Sequence, residues 1–159
     1  MFESPLIICA HPDDEVLGCG GLLAKYGPSA GVLCLTSGVG ARVEANVRSK
    51  NKRQKQFAEA LLTLNVTDHT IYDYSDQKLD TLPAIELAQL IESVLKKNLF
   101  DAVFTHYSGD LNQDHRAVNN AVNIAARPTF ESSIKFIAEF ETLSASEWRF
   151  VSTGGGMMR

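Results

Sequence analysis

Leu6-Ile7-Ile8-Cys9-Ala10, followed at once by His11-Pro12-Asp13-Asp14-Glu15, is the stretch on which the reading of the fold turns. Five consecutive apolar residues with no polar alternation suit a strand covered on both faces, as in a parallel sheet. Similar runs recur at Gly31-Val32-Leu33-Cys34-Leu35-Thr36, Thr70-Ile71-Tyr72, Ala102-Val103-Phe104-Thr105 and Ile134-Lys135-Phe136-Ile137-Ala138. Segments of helical spacing separate them. A short helix is expected over 16–26, ending at Gly27-Pro28. Phe57, Leu61 and Leu64 share one face of a helix over roughly 45–64. Leu87, Leu90, Ile91 and Val94 mark the next, with Pro83 in its first turn and Lys96-Lys97 at its C-terminal end. Val118, Val122 and Ala125 mark the last, which Pro128 stops. Strands alternating with helices imply an α/β fold: a Rossmann-like, doubly wound, mostly parallel sheet of about five strands flanked by helices.

Composition narrows the function. The 159 residues are 45% hydrophobic and carry a net charge of −4. That supports one domain, read here as 1–150, with a disordered glycine-rich tail at 151–159. The charge suggests neither a nucleic-acid partner nor a membrane surface, and no apolar run is long enough to span a bilayer. Met-Phe-Glu-Ser-Pro at the start lacks the basic region of a secretory signal. Cys9, Cys19 and Cys34 are odd in number and lie in or beside apolar runs, so they read as reduced core residues of a cytoplasmic protein.

In open α/β sheets, ligands bind beyond the carboxyl ends of the strands, near the switch in strand order. Four polar clusters follow four strands directly: His11 to Glu15, Thr36-Ser37-Gly38, Asp73 to Asp76, and His106 to His115. If the first and fourth strands are neighbours, the two histidine-bearing loops face each other across the crevice. His-x-x-Asp brings His11 and Asp14 within reach of one ion. His115, at a helix start, completes a two-histidine, one-carboxylate set that leaves a position for water, as catalytic zinc requires. Asp13 lies beside these ligands and is the natural general base.

Ala10-His11-Pro12-Asp13-Asp14-Glu15 resembles the first motif of the LmbE/PIG-L deacetylases, and Asp110-Leu111-Asn112-Gln113-Asp114-His115-Arg116 resembles their second. The resemblance covers about residues 5–148. It implies removal of an N-acetyl group from an N-acetylglucosamine-like sugar or conjugate, with Zn2+ or another divalent transition metal held by His11, Asp14 and His115. It implies that Asp13 activates water and then protonates the leaving amine. It places Arg53 and Asp76 at positions that hold the sugar, and leaves Glu15 to support the loop. Where many members carry an oxyanion-stabilising histidine, this chain has Asn112, expected to keep a weaker form of that role with help from His106. Members continue beyond the point corresponding to Trp148, which implies a chain shortened at its C-terminus and a site edge open to a homo-oligomer.

Other features read more plainly. His106 is expected to be a loop histidine without a ligand role, and His69 a surface residue ahead of a strand. Gly18-Cys19-Gly20-Gly21 suggests close helix–sheet packing rather than a dinucleotide fingerprint, because His-Pro-Asp-Asp-Glu occupies the turn where the glycines would be needed. Arg42, Arg48, Lys50, Lys52, Arg53 and Lys55 form a basic stretch read as a solvated helix face, Arg53 excepted. Two rival readings stay open: a shortened, non-catalytic member that retains the metal as a binding module, and a nucleotide-binding α/β protein.

Overall fold

The structure, a computed structural model, describes residues 2–40, 47–97, 100–128, 133–143 and 145–146. Arg42, Trp148 and the tail expected at 151–159 lie outside the described residues. In chain order the elements are β1 (Pro5–Cys9), α1 (Asp14–Tyr26), β2 (Gly31–Thr36), α2 (Val47–Thr63), β3 (Asp68–Tyr74), α3 (Ala84–Lys97), β4 (Ala102–His106), α4 (Gln113–Ala125) and β5 (Phe136–Phe140). Short 3-10 turns occupy Gly27–Ser29 and Leu79–Thr81. No described helix is long and apolar enough to cross a membrane.

All five strands run parallel in the order β3-β2-β1-β4-β5. The order reverses between β1 and β4, which pair from Pro5↔Ala102 to Ile8↔Thr105. The unbroken apolar run of β1 follows from its central position. Leu6, Ile8 and Ala10 pack on one face with Leu87, Ile91, Val118 and Val122. Ile7 and Cys9 pack on the other with Cys19, Leu23, Phe57 and Leu61. Each fully buried leucine or isoleucine in these layers contributes about 1.5–3 kcal/mol.

The outer strands depart from the two-face expectation. β3 alternates exposed and half-buried residues, and β5 exposes Phe136 and Ile137. Among the described residues they are the edge strands, without a strand on one side, and their apolar pattern thins accordingly. β5 also begins two residues later than its apolar run. Pro83 immediately precedes α3 rather than lying inside its first turn. His69 lies within β3, half-buried, with its ring edge-on to Phe57.

Gly18 shows why a glycine sits on α1. A Cβ there would meet the Phe140 ring at 2.2 Å, so α1 can approach this ring so closely only because Gly18 lacks a side chain. Gly21 has open space around it. The close-packing reading of this glycine cluster therefore holds for Gly18 and not for Gly21.

Candidate metal centre

The first half of the site is the tight turn from β1 into α1. The His11 N–H donates to Asp14 Oδ2 at 2.8 Å, and the Asp14 N–H donates to the His11 carbonyl at 3.2 Å. Between them Asp13 adopts φ 143°, a region that favours glycine. Such a conformation costs on the order of 1–3 kcal/mol and persists only where the surroundings enforce it. Glu15 supplies part of that enforcement: its buried carboxylate accepts the Asp13 N–H at 2.9 Å. Burial pushes the Glu15 carboxyl up to about 7, against the pull of that hydrogen bond. Gly38, at φ 66°, closes the turn from the β2 side; a Cβ there would lie 2.6 Å from the Pro12 ring.

The second half is the start of α4. The Asn112 side chain caps the helix by accepting the Asp114 N–H at 2.9 Å, and Asp110 accepts the Asn112 N–H at 2.8 Å. The Ser146 hydroxyl donates to the other Asp110 oxygen. Burial would raise the Asp110 carboxyl, but Ser146, the Asn112 amide and His115 hold it below the ordinary value. Asp114 ties this end to the loop after β3. Its Oδ1 accepts the Leu79 N–H at 2.9 Å, and its Oδ2 accepts the Gln77 N–H at 2.7 Å. Gln77 reaches that donor geometry at φ 58°.

Across the switch between β1 and β4, three atoms able to ligate a metal form a nearly regular triangle. His11 Nδ1 lies 3.3 Å from Asp14 Oδ2, His115 Nε2 lies 3.3 Å from the same oxygen, and the two nitrogens are 3.3 Å apart. Tetrahedral ligands about 2.0–2.1 Å from one ion stand about 3.3–3.4 Å from one another, so the three atoms fit one face of such a shell. The far side of each imidazole meets a carboxylate. His11 Nε2 is 3.1 Å from both Asp76 Oδ1 and Asp114 Oδ2. His115 Nδ1 is 3.1 Å from Asp110 Oδ2, although off the line of a hydrogen bond. Carboxylates behind ligand histidines orient the ring and make it a better donor. His11, Asp76 and Asp114 form a second cluster of this kind. There Asp114 is already engaged by two backbone amides, which suits it to holding His11.

The electrostatics call for a cation. Burial alone would lower the His11 pKa, but Asp114, Asp14 and Asp76 push it up to about 12. His115 is raised against the same burial effect, chiefly by Asp14 and then by Asp110. Burial would raise Asp14, yet neighbouring imidazoles, His11 and His115 among them, hold it well below the usual carboxylate range. The donor set, the triangle and this charge balance fit a divalent metal.

A cavity of about 200 Å³ opens onto the triangle, lined in addition by Asp13, Gly38, Arg53, Asp76, Gln77, Asn112 and Ala145. Asp13 stands outside the triangle with its side chain 48% exposed and pairs with the Arg53 guanidinium. Burial raises the Asp13 carboxyl, with Arg53 pulling the other way. A larger cavity of about 310 Å³ lies between Leu82, Leu87 and Ala117. Its described lining contains no cluster of ligating side chains, so the smaller one is the chemical candidate.

His11, Asp13, Asp14, Arg53, Asp76, Asn112 and His115 thus converge on one cavity. Asp76 forms a buried part of the cavity wall, held against His11. The Asn112 carbonyl oxygen is committed to the helix cap, which leaves its amide nitrogen as the group that can serve the cavity. His106 differs from expectation: it ends β4, is fully buried, and stacks on His115 with ring centroids 3.8 Å apart and planes 9° from parallel. Burial holds it below the ordinary imidazole value despite Asp14. Asp73 faces out to pair with Lys50, and Asp80 is exposed. Gln77, Thr142 and Ser146 were not legible as site residues. The alternating acids and amide of Asp110-x-Asn112-x-Asp114 were the available signal for the cap and its supports.

The profile of the GlcNAc-PI de-N-acetylase (PIG-L) family matches residues 6–126. The chain is 28% identical over 133 residues to the uncharacterized deacetylase YaiS of Escherichia coli (strain K12), covering 77% of this chain and 67% of that one. Among solved structures it is similar to the conserved protein TT1542 from Thermus thermophilus (TM-score 0.73, 25% identity, 89% of this chain and 66% of that one). It is also similar in fold to the N,N'-diacetylchitobiose deacetylase from Pyrococcus horikoshii (TM-score 0.71, 24% identity, 87% of this chain). The chain spans 60% of that deacetylase and 66% of TT1542, less than two thirds of each.

Proposed function

Because the chain belongs to the GlcNAc-PI de-N-acetylase (PIG-L, or LmbE) family, we propose that it is a zinc-dependent hydrolase removing an N-acetyl group from an N-acetylglucosamine-like sugar or sugar conjugate. The observation that carries the proposal is the 3.3 Å triangle of His11, Asp14 and His115, with a carboxylate of different character, Asp13, standing just outside it. Buried ligands beside a solvent-reaching acid make the division of labour that metal-assisted hydrolysis requires.

In this reading His11 Nδ1, Asp14 Oδ2 and His115 Nε2 hold the ion. Zinc at such a site supplies Lewis acidity and makes water easier to deprotonate near neutral pH. Asp13 accepts the proton of the attacking water on its carboxylate and returns it to the departing amine nitrogen. Its raised pKa suits both halves of that exchange. Arg53 holds the Asp13 carboxylate in place and presents its remaining N–H groups to sugar oxygens. The Asn112 amide donates a hydrogen bond to the carbonyl oxygen as negative charge develops there. Asp76 contributes to sugar binding at the cavity wall while steadying His11. Other divalent transition metals can substitute in a set of two imidazoles and one carboxylate.

We read residues 1–150 as one domain of this type. Its three cysteines are buried and unpaired, which fits a reducing compartment such as the cytoplasm. The crowd of acids around the cavity disfavours a phosphate ligand and with it the nucleotide-binding alternative.

The test is to load the protein with zinc, supply N-acetylglucosamine and its glycosides, including N,N'-diacetylchitobiose, and measure released amine. The expected outcome is turnover by wild type and a loss of about 10²–10⁴-fold in Asp13→Asn. Equal inactivity of both across the panel, with zinc bound, would favour a non-catalytic module that retains the metal.

A further inference from the structure

Resting on the metal-site reading above, we propose that His106 is a positioning residue of that centre. Its imidazole, in the Nδ1–H form, fixes the backbone that carries His11 and braces the ring of His115.

Three observations support this. First, His106 ends β4, is 0% exposed, and its Nε2 accepts the Ala10 N–H at 2.9 Å. A ring nitrogen that accepts an N–H carries a lone pair and no proton, so the proton is on Nδ1. Nδ1 lies 3.4 Å from Thr142 Oγ1, the partner to which it donates. Second, that assignment removes His106 from the ligand set. Its Nε2 comes within 3.4 Å of Asp14 Oδ2, but the lone pair is engaged by Ala10, so this approach is not a hydrogen bond. Third, the flat stack on His115, at 3.8 Å and 9°, restricts the plane of a ligand ring whose own Nδ1 has no well-aligned partner among the described residues.

The two contacts act on both ligand histidines at once. The Ala10 carbonyl accepts from the Thr36 N–H and the Thr36 hydroxyl, each at 2.9 Å, while its N–H donates to His106. The residue directly before His11 is therefore clamped from β2 on one side and β4 on the other. His106 links this clamp to His115. Groups behind metal ligands typically change affinity about 10–100-fold when removed, by letting the ligands lose their shared geometry.

The experiment is a cobalt(II) titration of metal-free wild type, His106→Phe, His106→Gln and Thr142→Val, with imidazole nitrogen NMR of metal-free wild type. NMR is expected to show His106 neutral with its proton on Nδ1. His106→Phe keeps a flat ring but loses the acceptor; it is expected to bind cobalt about 10–100-fold more weakly, with altered visible absorption of the bound ion. His106→Gln offers an oxygen to the Ala10 N–H and is expected to recover part of that loss. A purely structural residue would lower the melting temperature of the variants and leave the cobalt spectrum unchanged. The proposal is overturned if wild type binds cobalt and His106→Phe matches it in affinity and spectrum, or if NMR places the proton on Nε2. Should His106→Phe fail to fold, Thr142→Val decides: a spectrum identical to wild type overturns the proposal. If wild type itself takes up no cobalt, the metal-site reading falls first and this inference with it.

Discussion

Replacing Asp114 by asparagine is the most instructive perturbation, because it changes one atom and tests whether a non-ligand carboxylate organises the site. Asp114 is fully buried, and its two oxygens accept from Leu79 N–H, Gln77 N–H and His11 Nε2 at 2.9, 2.7 and 3.1 Å. Asparagine has one acceptor and one donor group in the same shape. If its oxygen faces Leu79, its NH2 confronts the Gln77 amide and the His11 ring. If its oxygen faces Gln77 and His11, its NH2 confronts Leu79. Either way a buried N–H loses its partner. A hydrogen bond to a charged acceptor contributes about 1.5–3 kcal/mol, and an unsatisfied buried donor costs a similar amount, so a net loss of about 3 kcal/mol is expected. For a chain of this size that lowers Tm by about 6–12 °C. Zinc affinity should fall about 10–100-fold at the same time, because His11 loses a support behind Nε2. Circular dichroism of metal-free protein reads the first effect, and competition with a zinc chelator reads the second. An Asp114→Asn protein with unchanged Tm and unchanged zinc affinity would refute the claim that this carboxylate joins the two halves of the site.

Two glycines of α1 should respond in opposite directions to alanine. Gly18→Ala places a methyl 2.2 Å from Phe140 and should destabilise by about 1–3 kcal/mol. Gly21→Ala meets open space and should stabilise by about 0.5–1 kcal/mol through helix propensity. Paired thermal melts check both. Metal uptake should also release protons near neutral pH. In the metal-free protein His11 is pushed up to about 12 and is protonated there, and that proton must leave Nδ1 before the nitrogen can ligate. Affinity should therefore rise with pH through the neutral range. Zinc titrations in buffers of different ionisation enthalpy measure the count, and zero protons released would contradict the His11 assignment.

What the sequence made legible follows from where the forces are local. β1 and β2 read as buried strands because both faces are covered, and the α/β alternation then brought four polar loops to one edge. His11 and Asp14 were legible because the turn that joins them spans four residues. His115 required only that β1 and β4 be neighbours, as they are. The start of β5 was misjudged by two residues because an edge strand need not be continuously apolar. His106 was misplaced in a loop because nothing near it in sequence shows that Ala10, 96 residues away, supplies its partner. Gln77 and Ser146 escaped notice for the same reason: each acts on an acid in α4 or the loop before it from a distant loop, and neither carries a charge. Asn112 was legible as a site position. Its commitment to capping α4 became evident only with the helix start in place.

The central claim, that His11, Asp14 and His115 form one metal centre, is tested most directly by zinc stoichiometry and affinity of purified metal-free protein, measured beside His115→Ala. The account predicts one zinc per chain for wild type and a loss of two orders of magnitude or more, on the order of 3 kcal/mol, when one of three ligands is removed. Zinc binding of unchanged affinity and stoichiometry in His115→Ala would contradict it.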